Sequence, residues 1–183
     1  MRAVSVLDLD RDGLASHPKQ FFNGLLGFIL SPRSEEHSQV DVNDEPIVVE
    51  QTYGVAPDVV WRAITDPAIM RQWFFAPMAE FEPEPGFETE FVVQFEGREY
   101  LHQWRVTEVV PEARIAYRWR YGGFEGDSAV TWELSEAPGG TNLRLTHVGS
   151  ESFPADPAFG REACVAGWTY FLQDSLKAHL GGA

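Results

Sequence analysis

The feature that most constrains the fold is the last long segment, Asp156 to Leu180. Asp156-Pro157 reads as a helix start, because the Asp side chain can take free backbone N–H groups and Pro suits the first helical position. Cys164, Trp168, Phe171 and Ser175 then recur at helical steps, and Val165, Leu172, Leu176 and Leu180 form a second row beside them. Together they predict a wide apolar stripe on one helix, ended by Gly181-Gly182. Six or seven runs with strand-like alternation precede it. One antiparallel sheet followed by one greasy helix implies an α+β fold in which the sheet wraps around the helix and buries one face.

The strands are predicted at Ile47–Gly54, Phe87–Phe95, Arg98–Val109, Arg114–Tyr121, Ser128–Ser135 and Thr141–Gly149, with a further short one at Met78–Phe81. Glu96-Gly97 and Gly139-Gly140 supply hairpin turns. Alternation sets the faces. Tyr100, His102, Trp104 and Val106 share one side against Leu101, Gln103, Arg105 and Thr107. Ile115, Tyr117 and Trp119 oppose Arg114, Arg118 and Arg120; Val130, Trp132 and Leu134 oppose Thr131 and Glu133; Leu143, Leu145 and His147 oppose Arg144 and Thr146. After the first strand, Pro57-Asp58 and Asp66-Pro67 open two short helices, the first with Val60, Ala63 and Ile64 inward and the second running through Trp73.

Residues 1–45 have a different character and are expected to form an extension to the domain that begins at Pro46. Phe21–Leu30 is apolar but shorter than the ~20 residues that span a bilayer. Asp8, Asp10 and Asp12 stand where a signal peptide would carry positive charge. The segment is read as an arm that packs on the domain, joins two copies as a homodimer, or enters the domain as a lid. Ser31 to Glu45 is a polar, acidic linker. Asp8-Leu9-Asp10-Arg11-Asp12-Gly13 matches half of a calcium loop, but Lys19 stands where that loop needs a bidentate Glu, so calcium binding is not expected.

The formal net charge of −14 argues against nucleic acid and against anionic membrane surfaces as partners. A single cysteine, Cys164, forms no internal disulfide and fits a reducing cytoplasm. No phosphate loop, dinucleotide fingerprint or Ser-His-Asp set is present. His102 and His147, with Glu99 or Glu108, lack metal-ligand spacing, so neither a metal nor a cofactor is expected.

Several stretches taken together resemble a known family. Val55-Ala56-Pro57-Asp58-Val59-Val60-Trp61-Arg62-Ala63-Ile64-Thr65-Asp66-Pro67, continued by Met70-Arg71-Gln72-Trp73-Phe74, is similar to the opening of START-like (SRPBCC) domains related to the activator of the heat-shock-protein-90 ATPase. Val109-Val110-Pro111, Arg114–Trp119, Val130–Leu134, Gly140–His147 and Gly167-Trp168 extend the match, while Pro85-Gly86 stands where a doubled Gly is often found. The resemblance implies the helix-grip fold, a cavity between sheet and helix, and structural roles for Trp61, Asp66, Trp73 and Trp168. It implies no catalytic set.

The inward residues define a candidate ligand cavity: walls from Trp73, Phe91, Phe95, Trp104, Trp119, Trp132, Trp168 and Phe171, hydroxyls from Tyr100 and Tyr117, and imidazoles from His102 and His147. Three functions follow as expectations. The first is a binder of a small hydrophobic molecule. The second is a cyclase or dehydratase acting on a polyketide-like substrate with an inward His as acid/base. The third is a co-chaperone-like interaction module.

Overall fold

A computed structural model describes residues 45–95 and 97–181. The arm at Phe21–Leu30, the Asp8–Gly13 motif and the linker up to residue 44 lie outside the described residues. Six strands are present: β1 (Ile47–Tyr53), β2 (Glu88–Phe95), β3 (Arg98–Val110), β4 (Arg114–Gly122), β5 (Ser128–Ala137) and β6 (Gly140–Val148). They form one curved antiparallel sheet in the order β1-β6-β5-β4-β3-β2. The alternation rule holds along it. Tyr100, His102, Trp104 and Val106 of β3 are buried, as are Tyr117 and Trp119 of β4 and Leu143, Leu145 and His147 of β6. The register of β3 on β4 slips between Val106 and Glu108, and the Thr107 hydroxyl at that bulge donates to the Ala116 carbonyl at 3.1 Å. Met78–Phe81 is not a strand: Met78 and Phe81 are buried, but the segment is irregular and packs Phe81 against Trp104 of β3 and Tyr117 of β4.

The two short helices form where proline and the cap residue place them. The first, α1 (Pro57–Thr65), buries Val60, Ala63 and Ile64. In the second, α2 (Pro67–Trp73), the Asp66 carboxylate accepts the Ala68 N–H at 2.8 Å. The Trp73 indole N–H donates to the Ala63 carbonyl at 2.8 Å, which locks one helix to the other.

The C-terminal helix begins later than its sequence suggests. Asp156 accepts the Ala158 N–H at 2.9 Å and pairs with Arg98 at 2.8 Å, closing a turn instead of opening a helix. Phe159 is then drawn into a satellite cluster with Tyr100 and Phe153, and regular helix starts at α3 (Arg161–Thr169). The next residues, Tyr170–Leu176, are π-helical, and Lys177–His179 closes the segment as the short α4. The inward row is Trp168, Leu172 and Leu176, four apart, which suits the wider π turn. Val165, expected on the stripe, is 38% exposed. The Tyr53 hydroxyl donates to the Leu172 carbonyl at 2.8 Å, and the Ser175 hydroxyl to the Trp73 carbonyl at 2.5 Å, tying this helix to β1 and to α2.

Two glycines of the matched stretches test this packing in opposite directions. A Cβ on Gly140 would lie 1.9 Å from the Tyr53 carbonyl oxygen, a backbone atom that cannot rotate away. Gly140→Ala is therefore expected to destabilise the domain by about 3 kcal/mol, the upper end for overpacking. A Cβ on Gly167, inside α3, meets nothing within 4 Å. Gly167→Ala is expected to stabilise by about 0.5–1 kcal/mol through helix propensity. Urea midpoints of the two variants against the parent check both signs.

Candidate functional site

The interior between sheet and helix is a packed cluster of aromatic rings, the place where the sequence puts the candidate chamber. α2 ends at Trp73, and Phe74 leaves helical geometry (φ −106°, ψ −93°), so that Phe74 and Phe75 project between the sheet and the C-terminal helix. The Phe74 ring lies 4.3 Å from Phe75, 4.6 Å from Phe171, 5.8 Å from Trp104 and 5.9 Å from Trp168, centroid to centroid. Phe75 is half-buried and faces His102 at 5.0 Å, Phe171 at 5.2 Å and Phe91 at 5.6 Å. Sequence reasoning left these two phenylalanines out of the chamber. The signal was the unbroken Trp73-Phe74-Phe75 run directly after a helix, where three consecutive aromatics cannot all stay on one helical face.

Of the residues expected to line the chamber, the structure brings together Trp73, Phe91, His102, Trp104, Tyr117, Trp119, Trp132, His147, Trp168 and Phe171 as one connected set of rings. Phe91 stacks on His102 at 5.1 Å, and Trp119 lies 4.7 Å from Trp104 and 5.5 Å from Trp168. Tyr100 and Phe95 lie elsewhere, in the satellite cluster with Phe153, Phe159, Phe124 and Tyr121. Their strand face is the expected one, but they sit at the far end of β3 and β2, where the Phe159 turn covers them. Tyr121 bridges the two groups, 4.9 Å from His102 and 4.8 Å from Phe159.

Hydrogen bonding inside the chamber is incomplete. The Trp132 indole donates to the Tyr117 hydroxyl at 2.8 Å, and the Trp168 indole to His147 Nδ1 at 3.1 Å. Four buried side-chain nitrogens have no hydrogen-bond partner among the described residues: His102 Nδ1, Trp104 Nε1, Trp119 Nε1 and His147 Nε2. The Tyr121 hydroxyl is close enough to Trp119 to feel its N–H, but not in hydrogen-bonding geometry. All four nitrogens sit on adjoining rings, since Trp119 lies 5.2 Å from His102 and 6.5 Å from His147.

Burial also decides the charge state. Desolvation pushes the His102 pKa down to about 3 and that of His147 down to about 4, so both are neutral near pH 7. With pKa values that low they are poor proton shuttles at neutral pH. Desolvation raises the Cys164 thiol to about 11, which keeps it protonated, while Tyr117 and Tyr121 are pushed above the ordinary phenol value by the same cause. Among the described residues no three of His, Cys, Asp and Glu gather as a metal set, and no helix is long and apolar enough to cross a membrane.

The outer face of β2, β3 and β4 carries a shallow groove of about 590 Å³. Arg105, Arg118 and Arg120 there are balanced by Glu88, Glu90 and Asp127, with Arg118 paired to Asp127. It is a charge-neutral solvated surface with no net attraction for an ion.

The curved sheet gripping a terminal helix around an aromatic interior defines a START-like helix-grip domain. Residues 55–181 match the family described as Activator of Hsp90 ATPase homolog 1-like protein, and the chain belongs to that family. No curated protein matches it. Among solved structures, the Mll3558 protein from Rhizobium loti is 29% identical, with a TM-score of 0.60 over 74% of this chain and 96% of the other. DynU16, a protein of the dynemicin biosynthetic locus, is 25% identical with a TM-score of 0.57, over 75% of this chain and 46% of its own longer chain. The Aha1 dimer from Colwellia psychrerythraea shares the fold at 18% identity, with a TM-score of 0.57 over 75% of this chain and 98% of the other.

Proposed function

We propose that the domain binds a small hydrophobic molecule between the inner face of the sheet and the C-terminal helix, against Phe75, His102, Trp104, Trp119, His147 and Trp168. The observation that supports this most is the set of four unpartnered nitrogens on adjoining rings. Each buried polar group left unpaired costs about 1–3 kcal/mol, and a folded core rarely gathers four in one place. A site that exchanges them for contacts to a guest accounts for their being together. Phe75, half-buried and at the centre of the rings, is the side chain that swings to admit it.

An acid/base enzyme has less support, because His102 and His147 are held neutral with pKa values far below 7. The link of DynU16 to a biosynthetic locus is in keeping with a small organic guest. In this reading the binding unit runs from Pro46 onward and residues 1–45 are an extension to it.

Thermal melting of the full chain against a panel of lipids and polycyclic aromatics tests the proposal. A bound molecule at a hundred times its Kd raises stability by about 2.7 kcal/mol, which shifts a domain of this size by about 5–10 °C. A panel in which every compound leaves the melting temperature unmoved contradicts it.

A further inference from the structure

We infer that the guest presents a neutral hydrogen-bond acceptor, such as a ketone, quinone or ester oxygen on an otherwise apolar frame, to Trp104, Trp119 and His147. The inference rests on the binding reading above and adds the sign and charge of the guest's polar end.

Five tryptophans are buried: Trp73, Trp104, Trp119, Trp132 and Trp168. Three of them donate within the protein, Trp73 to the Ala63 carbonyl, Trp132 to the Tyr117 hydroxyl and Trp168 to His147 Nδ1. The other two, Trp104 and Trp119, are neighbours at 4.7 Å and have no partner for Nε1. An indole nitrogen can only donate. The same fact fixes the tautomer of His147. Because its Nδ1 accepts the Trp168 N–H, that nitrogen carries no proton, and the neutral ring must hold its proton on Nε2. Nε2 is the other orphan on that ring. Three of the four unpartnered nitrogens are therefore N–H donors without an acceptor. No contact fixes the tautomer of His102, whose ring lies between Phe75 and Phe91.

Three donors on adjoining rings select an acceptor and give a hydroxyl or amine hydrogen nothing to bond among them. The charge of the guest follows from the rest of the interior. The buried polar side chains among the described residues are Thr65, His102, Ser128, Thr141, His147 and Ser150, with no Asp, Glu, Lys or Arg. An ion of either sign would be stripped of water there with no counter-charge, a loss that three neutral donors do not offset. Burial keeps His147 neutral at pH 7, so it supplies no hidden positive charge.

The test is a titration of the full chain at pH 7 with two probes of the same shape, followed by intrinsic tryptophan fluorescence. The probes are 2-acetylnaphthalene and 2-isopropenylnaphthalene, in which a CH₂ group replaces the ketone oxygen. The ketone is expected to bind at least about tenfold more tightly, the equivalent of one net hydrogen bond of about 1.4 kcal/mol. Trp104→Phe is expected to lower the ketone-to-hydrocarbon affinity ratio several-fold, both probes being measured on the same variant, as the loss of one donor of the set requires. If Trp104→Phe does not fold, Trp119→Phe removes the neighbouring donor and carries the same expectation. Equal affinities for the two probes in the parent protein would overturn this inference and leave the binding proposal standing. Failure of both probes to bind would overturn the binding proposal and this inference with it.

Discussion

Trp168→Ala is expected to destabilise the domain by about 3–5 kcal/mol, the range for removing a large buried aromatic. The ring is only 5% exposed and sits where helix and sheet meet, 5.9 Å from Phe74, 5.5 Å from Trp119 and 5.7 Å from Trp132. Truncation leaves a void bounded by rigid rings that cannot collapse into it. It also removes the donor to His147 Nδ1 and adds another unpartnered nitrogen to the chamber. Trp168→Phe separates the two effects, since it keeps most of the ring but loses the N–H, and is expected to lose about 1–3 kcal/mol. A domain stability of about 5–15 kcal/mol makes the alanine variant marginal. Urea unfolding of both variants measures the losses, and a value below about 1 kcal/mol for Trp168→Ala would mean that the helix does not close the core as described.

Acid is the second large lever. His102 and His147 are neutral in the folded domain because burial lowers their pKa values to about 3 and about 4, whereas in the unfolded chain each titrates near 6.5. Between pH 6.5 and about 4 the unfolded chain binds more protons than the folded one, so stability falls as pH falls. Above pH 6.5 both states are neutral at these sites and the contribution is constant. Each group contributes a slope of up to about 1.4 kcal/mol per pH unit, so the pair reaches about 2.7 between pH 4 and 6. Asp156, held below its ordinary value by the Ala158 N–H and by Arg98, adds its loss only at lower pH. The informative quantity is therefore a difference. The double variant His102→Phe/His147→Phe is expected to flatten the slope of unfolding free energy between pH 6.5 and 4.5 relative to the parent. Parallel slopes in the two proteins would show that the histidines are not buried neutral.

Much of this architecture was legible in the chain because it rests on short-range rules. The inward positions of β3 to β6 follow from alternation alone, and the starts of α1 and α2 follow from Pro57 and from the Asp66-Pro67 cap. The parts that were not legible depend on tertiary contacts. Asp156-Pro157 carries a sound helix-start signal, yet Arg98 and the burial of Phe159 turn it into a loop. Val165 falls off the apolar stripe because the π-helical turns of Tyr170–Leu176 rotate less per residue and shift its phase relative to Leu172 and Leu176. Met78–Phe81 has strand-like residues but no strand beside it to pair with. The site was half legible. Direction into the chamber could be read for His102 and His147, but not that Phe74 and Phe75 reach its centre, nor which nitrogens find partners. Those outcomes are set by distances between elements far apart in the sequence.

In the proposed binding mode a small apolar guest sits among Trp104, Trp119 and His147. The most direct measurement is a ¹H–¹⁵N spectrum of the tryptophan indole groups during titration with 2-acetylnaphthalene. The Trp104 and Trp119 indole resonances are expected to move downfield together as their N–H groups gain an acceptor, while those of Trp73 and Trp132, already bonded to Ala63 and Tyr117, shift far less. Indole signals that stay fixed up to the solubility limit of the ketone, or shifts confined to Trp61 on the first helix, would contradict it.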